Sequence, residues 1–573
     1  MFACRSLPAS VLVTIAMTGC ATGGPRDAPA LAADGRAEPA LIVVPTIKHP
    51  DGESSEWWFL SGAAHAAANG ASGARARNVI LFVGDGMGLT TVAAARILEG
   101  QREGRPGEEN TLSFERFPHT ALARTYNTNA QTPDSAGTTT AMVAGVKTRI
   151  GVLSTGPAVR RTDCRGAASD ELVSLLEIAH SAGLATGIVT TTRLTHATPA
   201  ATFARSADRN WEDDYTIAPA AAAAGCRDIA TQFVEPRIGK GVDVALAGGR
   251  ARFLPHTEPD PEHPNRTGMR RDGRNLIAEW QARHPDGDFV WKTSQLDALD
   301  HHSSTPLLGL FEPDHMRFEH DRPGDPGGEP SLAQMTKVAI DRLSRAPDGF
   351  VLLIEAGRID HAHHFGNAYR ALVDTIALSD AVRVATEATR ADETLIVVTA
   401  DHSHTLTFAG YPARGNPILG KVRGSSGEGE ASGSYALDAL GLPFTTLGYA
   451  NGPGYSGASD TQPEGPKRFL HDFSAMAGIR AGRPDLAGVD TAAPDFLQEA
   501  TVPLQSETHG GEDVAVYARG PGADAVRGSM EQHVLYHIML QATPRLRERL
   551  CAAGRCNADG IPVEVPRPRD LDP

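Results

Sequence analysis

Four short, largely apolar runs, 79–83, 186–189, 350–354 and 395–399, punctuate a chain that otherwise mixes apolar and polar positions. Unbroken runs of this length mark strands covered on both faces, as parallel strands are. Segments 170–182 and 332–343 instead repeat their apolar residues at the three- and four-residue spacing of a helix with one buried face. Strands alternating with helices predict an α/β fold, a doubly wound and mostly parallel sheet flanked by helices.

The residues that follow these strands carry the chemistry. The first run leads to Gly84-Asp85-Gly86, the third into Glu355, and the fourth to Ala400-Asp401-His402. One acid after a strand is ordinarily a turn or a helix cap. Several strands delivering acid and imidazole to one edge, where open α/β sheets bind ligands, are not explained by packing. The tract Asp360-His361-Ala362-His363-His364 adds a pair, Asp360 and His364, that shares one face of a helix and can grip one ion. Mixed carboxylate and imidazole donors suit zinc, whereas an oxygen-only set suits magnesium. Asp134 and Ser135 precede a helix-like run, 139–146, whose N-terminal N–H groups and dipole favour an anion.

Composition narrows the function. The chain has 573 residues and a net charge of −15, from 54 Lys and Arg against 69 Asp and Glu, which argues against a nucleic-acid partner. Hydrophobic residues at 41% suffice for a large core, and 59 Gly with 39 Pro make the chain rich in loops. No stretch reaches the roughly 18 apolar residues that span a bilayer. The N-terminus carries Arg5, an apolar run at 11–17 and then Thr18-Gly19-Cys20, the pattern of an export signal ending in a lipoprotein-like box. Cys20 is thus the expected lipid-bearing residue, followed by a Gly, Ala and Pro-rich tether. The other cysteines, Cys164, Cys226, Cys551 and Cys556, form an even set, which in an exported chain predicts two disulfides. Cys551 and Cys556 are expected to pair locally or else to leave two lone thiols, and Cys164 with Cys226 is the natural remainder.

Seven segments, 78–88, 133–138, 189–199, 208–211, 355–364, 399–404 and 507–513, together resemble the alkaline phosphatase family in its animal and widespread bacterial form. The resemblance runs from about residue 50 to about 540 in family order. It implies hydrolysis of phosphomonoesters through a phosphoserine at Ser135, with Arg209 clamping phosphate oxygens and Asp134 orienting that arginine. It further implies one zinc on Asp360, His364 and His509, a second on Asp85, Asp401 and His402, and a magnesium on Asp85, Thr198 and Glu355. His196 and His361 match the animal-type pattern and stand behind the ligands, while His363 and His404 are taken as structural or behind the ligands, with no ligand role. A structural calcium is implied at Glu262, the Phe311 carbonyl, Glu312 and Glu329, the last replacing the family's usual Asp.

The domain order expected on this basis is a signal peptide at 1–19, a tether and N-terminal segment at 20–76, and a catalytic core at 77–410 and 505–548. A crown-like insertion at 411–504 interrupts the core, and a peripheral tail follows at 549–573. The protein is expected to be a homodimer, exported to the periplasm or cell envelope, and membrane-associated only through Cys20. Two other readings compete. A phosphodiesterase or sulfatase of the same superfamily lacks a use for Arg209 and the third metal, and Ser135 does not lie in the sulfatase motif. A metal-stabilised surface protein without catalysis has no reason to keep Ser135 and Arg209 beside the ligands.

Overall fold

The computed structural model describes residues 41–424, 433–438, 441–455, 468 and 484–571. The signal-peptide and lipid-anchor expectations lie outside the described residues. No helix among the described residues is long and apolar enough to cross a membrane.

The apolar runs become the middle of one ten-stranded sheet. In chain order its strands are Asn78–Gly84 (β1), His119–Arg124 (β2), Ala185–Arg193 (β3), Val244–Gly248 (β4), Asp288–Val290 (β5), Leu307–Leu310 (β6), Phe350–Ala356 (β7) and Thr394–Ala400 (β8). Five short strands follow outside it: Ser403–His404 (β9), Leu406–Phe408 (β10), Leu447–Gly452 (β11), Ala500–Pro503 (β12) and His509–Gly510 (β13). The last two, Val514–Arg519 (β14) and Gly528–Glu531 (β15), return to the large sheet. Its spatial order is β15-β2-β14-β8-β1-β7-β3-β4-β6-β5. Only β14 runs antiparallel to its neighbours, β2 and β8.

Every residue of β7 and β8 is buried, so helices cover both faces of the sheet there. Register aligns the ends that matter: Val83 sits opposite Glu355 of β7 on one side and Thr399 of β8 on the other. Asp85, Glu355 and Asp401 therefore emerge side by side at one edge of the sheet.

The predicted helix 332–343 forms over Leu332–Leu343, started by a capping box between Ser331 and Gln334. Segment 170–182 is helical only over Leu175–Ser181, because the capping box of Ser174 and Glu177 begins the helix there. The preceding Glu171 instead bridges Thr155. The run at 139–146 lies in a helix that starts earlier, at Ser135, and stops at Ala144, where Gly145 turns left-handed at φ 72°.

The disulfides Cys164–Cys226 and Cys551–Cys556 both form as expected. The tail is not peripheral, contrary to expectation. Val565 and Leu571 are buried in the main apolar core, and Arg567 ties the tail to Asp170 and Glu56. Within the described part of the insertion, β11 joins β10 and β12 in a three-stranded sheet that begins before residue 411, while the chain is still in the core.

Candidate metal centre and active site

The first group of donors stands on strand ends. Asp85, Asp401 and His402 are fully enclosed. The Gly86 and His402 backbone amides donate to Asp401 Oδ1 at 2.9 and 2.8 Å. A side chain on Gly86, which has φ 72°, would collide with the His404 ring, so the tight turn after β1 requires glycine. His402 Nδ1 lies 3.2 Å from the Ser403 carbonyl, which can only accept. The proton therefore sits on Nδ1, and the Nε2 lone pair faces Asp401 Oδ2 at 3.2 Å and Asp85 Oδ1 at 3.5 Å.

The second group is carried by a short helix and a loop. Asp360 and His364 share a face of the helix Arg358–His364, as their spacing predicts. His509 comes from β13, far along the chain. His364 Nδ1 donates to the Glu507 carbonyl at 2.6 Å, and His509 Nδ1 donates to the Pro133 carbonyl at 2.7 Å. In the neutral rings both Nε2 atoms are then lone pairs, and they face each other at 3.1 Å. Asp360 Oδ1 lies 3.4 Å from the first and 3.3 Å from the second. For the neutral imidazoles, three electron-pair donors converge here, an arrangement that a cation relieves.

Glu355 anchors a third cluster. Its Oε2 accepts from the hydroxyls of Thr192, at 3.0 Å, and of Thr190. Its Oε1, like Asp85 Oδ2, is enclosed without any hydrogen-bond donor. Asp85, His196 and Glu355 bring one donor atom each within 4.8 Å of one another. Burial pushes the Glu355 carboxyl up to about 7. Burial together with Asp401, Asp360 and Glu355 pushes Asp85 well above the usual carboxylate range. A buried acid without donors is costly, so this chemistry fits divalent cations. Thr198 lies beside the cluster, accepting from Thr139 Oγ1 at 3.4 Å.

Ser135 opens its helix 3.2 Å from His402 Nε2 and 3.4 Å from Asp85 Oδ1. Asp134 caps that helix, accepting at Oδ1 from Gly137 N at 3.1 Å. Its Oδ2 accepts from Gly151 N at 3.0 Å and from Arg209 at 3.1 Å. The other arm of the Arg209 fork meets His196 Nε2 at 3.1 Å. One carboxylate thus fixes both the start of the helix and the guanidinium.

Several contacts here escaped sequence reasoning. His404, assigned no ligand role, is clamped between Asp360 Oδ1 at 2.7 Å and Glu507 Oε2 at 2.5 Å. Burial opposes its charge, but Glu507 and Asp360 prevail and hold the imidazole up to about 10. His315 packs edge-on against His361 at 4.2 Å and His196 at 5.3 Å between ring centres. The Glu-Thr-His-Gly-Gly-Glu segment contained Glu507, but nothing local marked it as the partner of His404.

At the expected calcium residues the structure brings Glu262 and Glu312 together with His263, an unforeseen third donor. Glu329 stands apart from that group, accepting from the Arg317 amide at 3.1 and 3.2 Å. Burial pushes Glu312 up to about 6 and Glu329 up to about 8, because the one nearby guanidinium, Arg317, 3.2 Å from Glu312, does not offset the burial of these acids. Phe311, buried, directly precedes Glu312 after β6. The nearby Asp325 is enclosed, its Oδ1 paired with Arg317 Nε at 3.0 Å and its Oδ2 without a hydrogen-bond donor.

A mostly parallel sheet that presents a serine, an arginine and clustered acid and imidazole donors at one edge defines a metal-dependent hydrolase of the α/β class. The alkaline phosphatase family profile matches residues 76–544, and the chain belongs to that family. It is 42% identical over 473 residues to the human tissue-nonspecific isozyme of alkaline phosphatase, covering 82% of this chain and 83% of that protein. To the same isozyme of Gallus gallus it is 44% identical, covering 82% and 84%. The crystal structure of Thermus thermophilus alkaline phosphatase superposes with a TM-score of 0.56 at 25% identity, covering 82% of this chain and 92% of that one. The protein is accordingly a metal-dependent phosphomonoester hydrolase.

Proposed function

We propose that Ser135 is the nucleophile of this hydrolase and that the three clusters hold two zinc ions and one magnesium. Asp360, His364 and His509 would hold one zinc, and Asp85, Asp401 and His402 the other. Asp85, Thr198 and Glu355 would hold magnesium. The observation that carries the reading is the pair of Nε2 lone pairs on His364 and His509, turned to each other across 3.1 Å beside Asp360. When bound, the ions would supply charge that stabilises the attacking and leaving oxygens and lowers the pKa of the serine hydroxyl and of the hydrolytic water.

The chain's own groups do the remaining work. The Ser135 Oγ–P bond forms as the bond from phosphorus to the alcohol oxygen breaks, and water then cleaves the phosphoserine to inorganic phosphate. Arg209 offers its planar fork to two phosphoryl oxygens. Asp134 holds that fork in place, so the guanidinium need not reorganise as charge shifts. His196 accepts from the same guanidinium and so is neutral at Nε2, with its proton on Nδ1.

A structural calcium at Glu262, the Phe311 carbonyl, Glu312 and Glu329 belongs to the same reading, supported by acids raised by burial. Two disulfides support an oxidising, exported location, periplasmic or at the cell envelope, with Cys20 as the lipid anchor. A homodimer is the expected assembly. Elemental analysis of purified wild type and Ser135→Ala tests the core reading. Both should hold two zinc and one magnesium per chain, and only the wild type should turn over an aryl phosphate. A Ser135→Ala enzyme that keeps its activity overturns the nucleophile.

A further inference from the structure

The insertion strand β11 reaches the candidate metal centre at two points. Tyr449 is buried, and its hydroxyl sits 2.8 Å from Nδ1 of His363. The other nitrogen of that ring lies 3.0 Å from Thr91 Oγ1. His363 is fully enclosed and stacks on His404 with ring centres 4.8 Å apart. It rides on the helix Arg358–His364, the helix that carries Asp360 and His364. Hydroxyls can donate or accept, so Tyr449 and Thr91 satisfy either neutral form of the imidazole and pin the helix from its non-ligand side.

Two residues along the strand, Asn451 clasps the residue before His509. Its Oδ1 accepts from Thr508 N, and its Nδ2 donates to Thr508 Oγ1, both at 3.0 Å. A side chain on Gly452, the next residue, would press on Glu507. One strand therefore holds both pieces of chain that present Asp360, His364 and His509. Among the described residues, no hydrogen bond is seen from a side chain of this strand to Asp85, Asp401 or His402. Those residues stand at the ends of central strands, where amides of Gly86 and His402 fix Asp401.

We propose that Tyr449 and Asn451 are positioning residues that set how tightly Asp360, His364 and His509 hold their cation, and that they leave the Asp85, Asp401 and His402 site unaffected. The proposal rests on the two-zinc reading above. Groups one step behind metal ligands typically change affinity by about 10- to 100-fold when removed, because the ligands lose their preset orientation. Loss of the Tyr449 hydroxyl frees the helix, and loss of the Asn451 amide frees the His509 loop.

The test is equilibrium dialysis of the full-length holoenzyme against graded zinc buffers at fixed magnesium, with zinc per chain read by elemental analysis. Wild type should hold two equivalents. In Tyr449→Phe and in Asn451→Ala one equivalent should require about 10- to 100-fold more free zinc, while the other keeps its wild-type midpoint. Excess zinc should restore kcat with an unchanged KM, which a damaged fold would not allow. In a His364→Ala background, Tyr449→Phe should cost nothing further, because the site it supports is already broken. Variants whose two equivalents weaken together, or that match wild type, overturn the proposal and leave the two-zinc reading standing. A wild type that never holds two equivalents defeats that reading and the proposal with it.

Discussion

The two zinc-type donor groups are built from different material. Asp85, Asp401 and His402 extend from buried neighbouring strands whose register puts Gly84 opposite Ala400. Asp360, His364 and His509 ride on a two-turn helix and on the two-residue strand β13 within a loop, and the side chains of His364 and His509 remain 30% and 15% exposed. A strand end is placed by the whole sheet, whereas a loop ligand is placed by the side chains beside it. On this account the sheet-held group should tolerate loss of its neighbours, and the loop-held group should depend on His404, Glu507 and the insertion.

Removing a candidate ligand of the sheet-held group should have the largest effect. Asp85 faces both that group and Glu355, so Asp85→Asn should lose one zinc and the magnesium together. Turnover should fall beyond the 10- to 100-fold range typical of groups behind the ligands, as metal content and aryl phosphate hydrolysis will read. Loss of one ion without the other would separate clusters that the structure joins.

Next comes Arg209→Ala. A charge-assisted bidentate contact is worth about a few kcal/mol, so inhibition by inorganic phosphate and turnover should both weaken without vanishing. Zinc content should hold, since Arg209 supports neither group. An unchanged phosphate inhibition constant contradicts the clamp.

The dependence of the loop-held group on its surroundings is sharpened by His404→Asn. Asp360 and Glu507 would lose the imidazole they share, and zinc affinity should drop by about 10- to 100-fold at one equivalent only. Competition with a chelator dye measures it, and two equivalents falling together would erase the distinction between the groups.

A smaller effect lies away from both. Burial pushes the Asp374 carboxyl up to about 8 against an ordinary 3.8. Its folded pKa lies above the unfolded one, so the folded state keeps a proton that the unfolded chain has released. Stability should then fall as pH rises from about 4 to 8, and Asp374→Asn should flatten this slope by about a few kcal/mol. Denaturant unfolding at pH 5 and 9 reads the difference, and parallel slopes for both proteins would refute it.

These regions were not equally legible in the sequence. Strand-end ligands were visible because a short apolar run marks the strand and the next residue must lie at its edge. Asp360 and His364 were visible through helical spacing. The His404–Glu507 pair was not, because 103 residues separate the partners and neither lies in a periodic pattern that points to the other. His315 likewise gains its place from packing against His196 and His361 across different loops. The tail read as peripheral because it is Pro-rich and acidic at its end, yet the apolar residues Val565 and Leu571 dock it on the core.

The most direct test of the account is acid quenching of the wild type during turnover of a labelled phosphomonoester, followed by peptide mapping. The account predicts covalent phosphate on Ser135, within the peptide that begins the helix capped by Asp134. Label on any other residue, or turnover with no trapped phosphoprotein under conditions where the intermediate should accumulate, would contradict it.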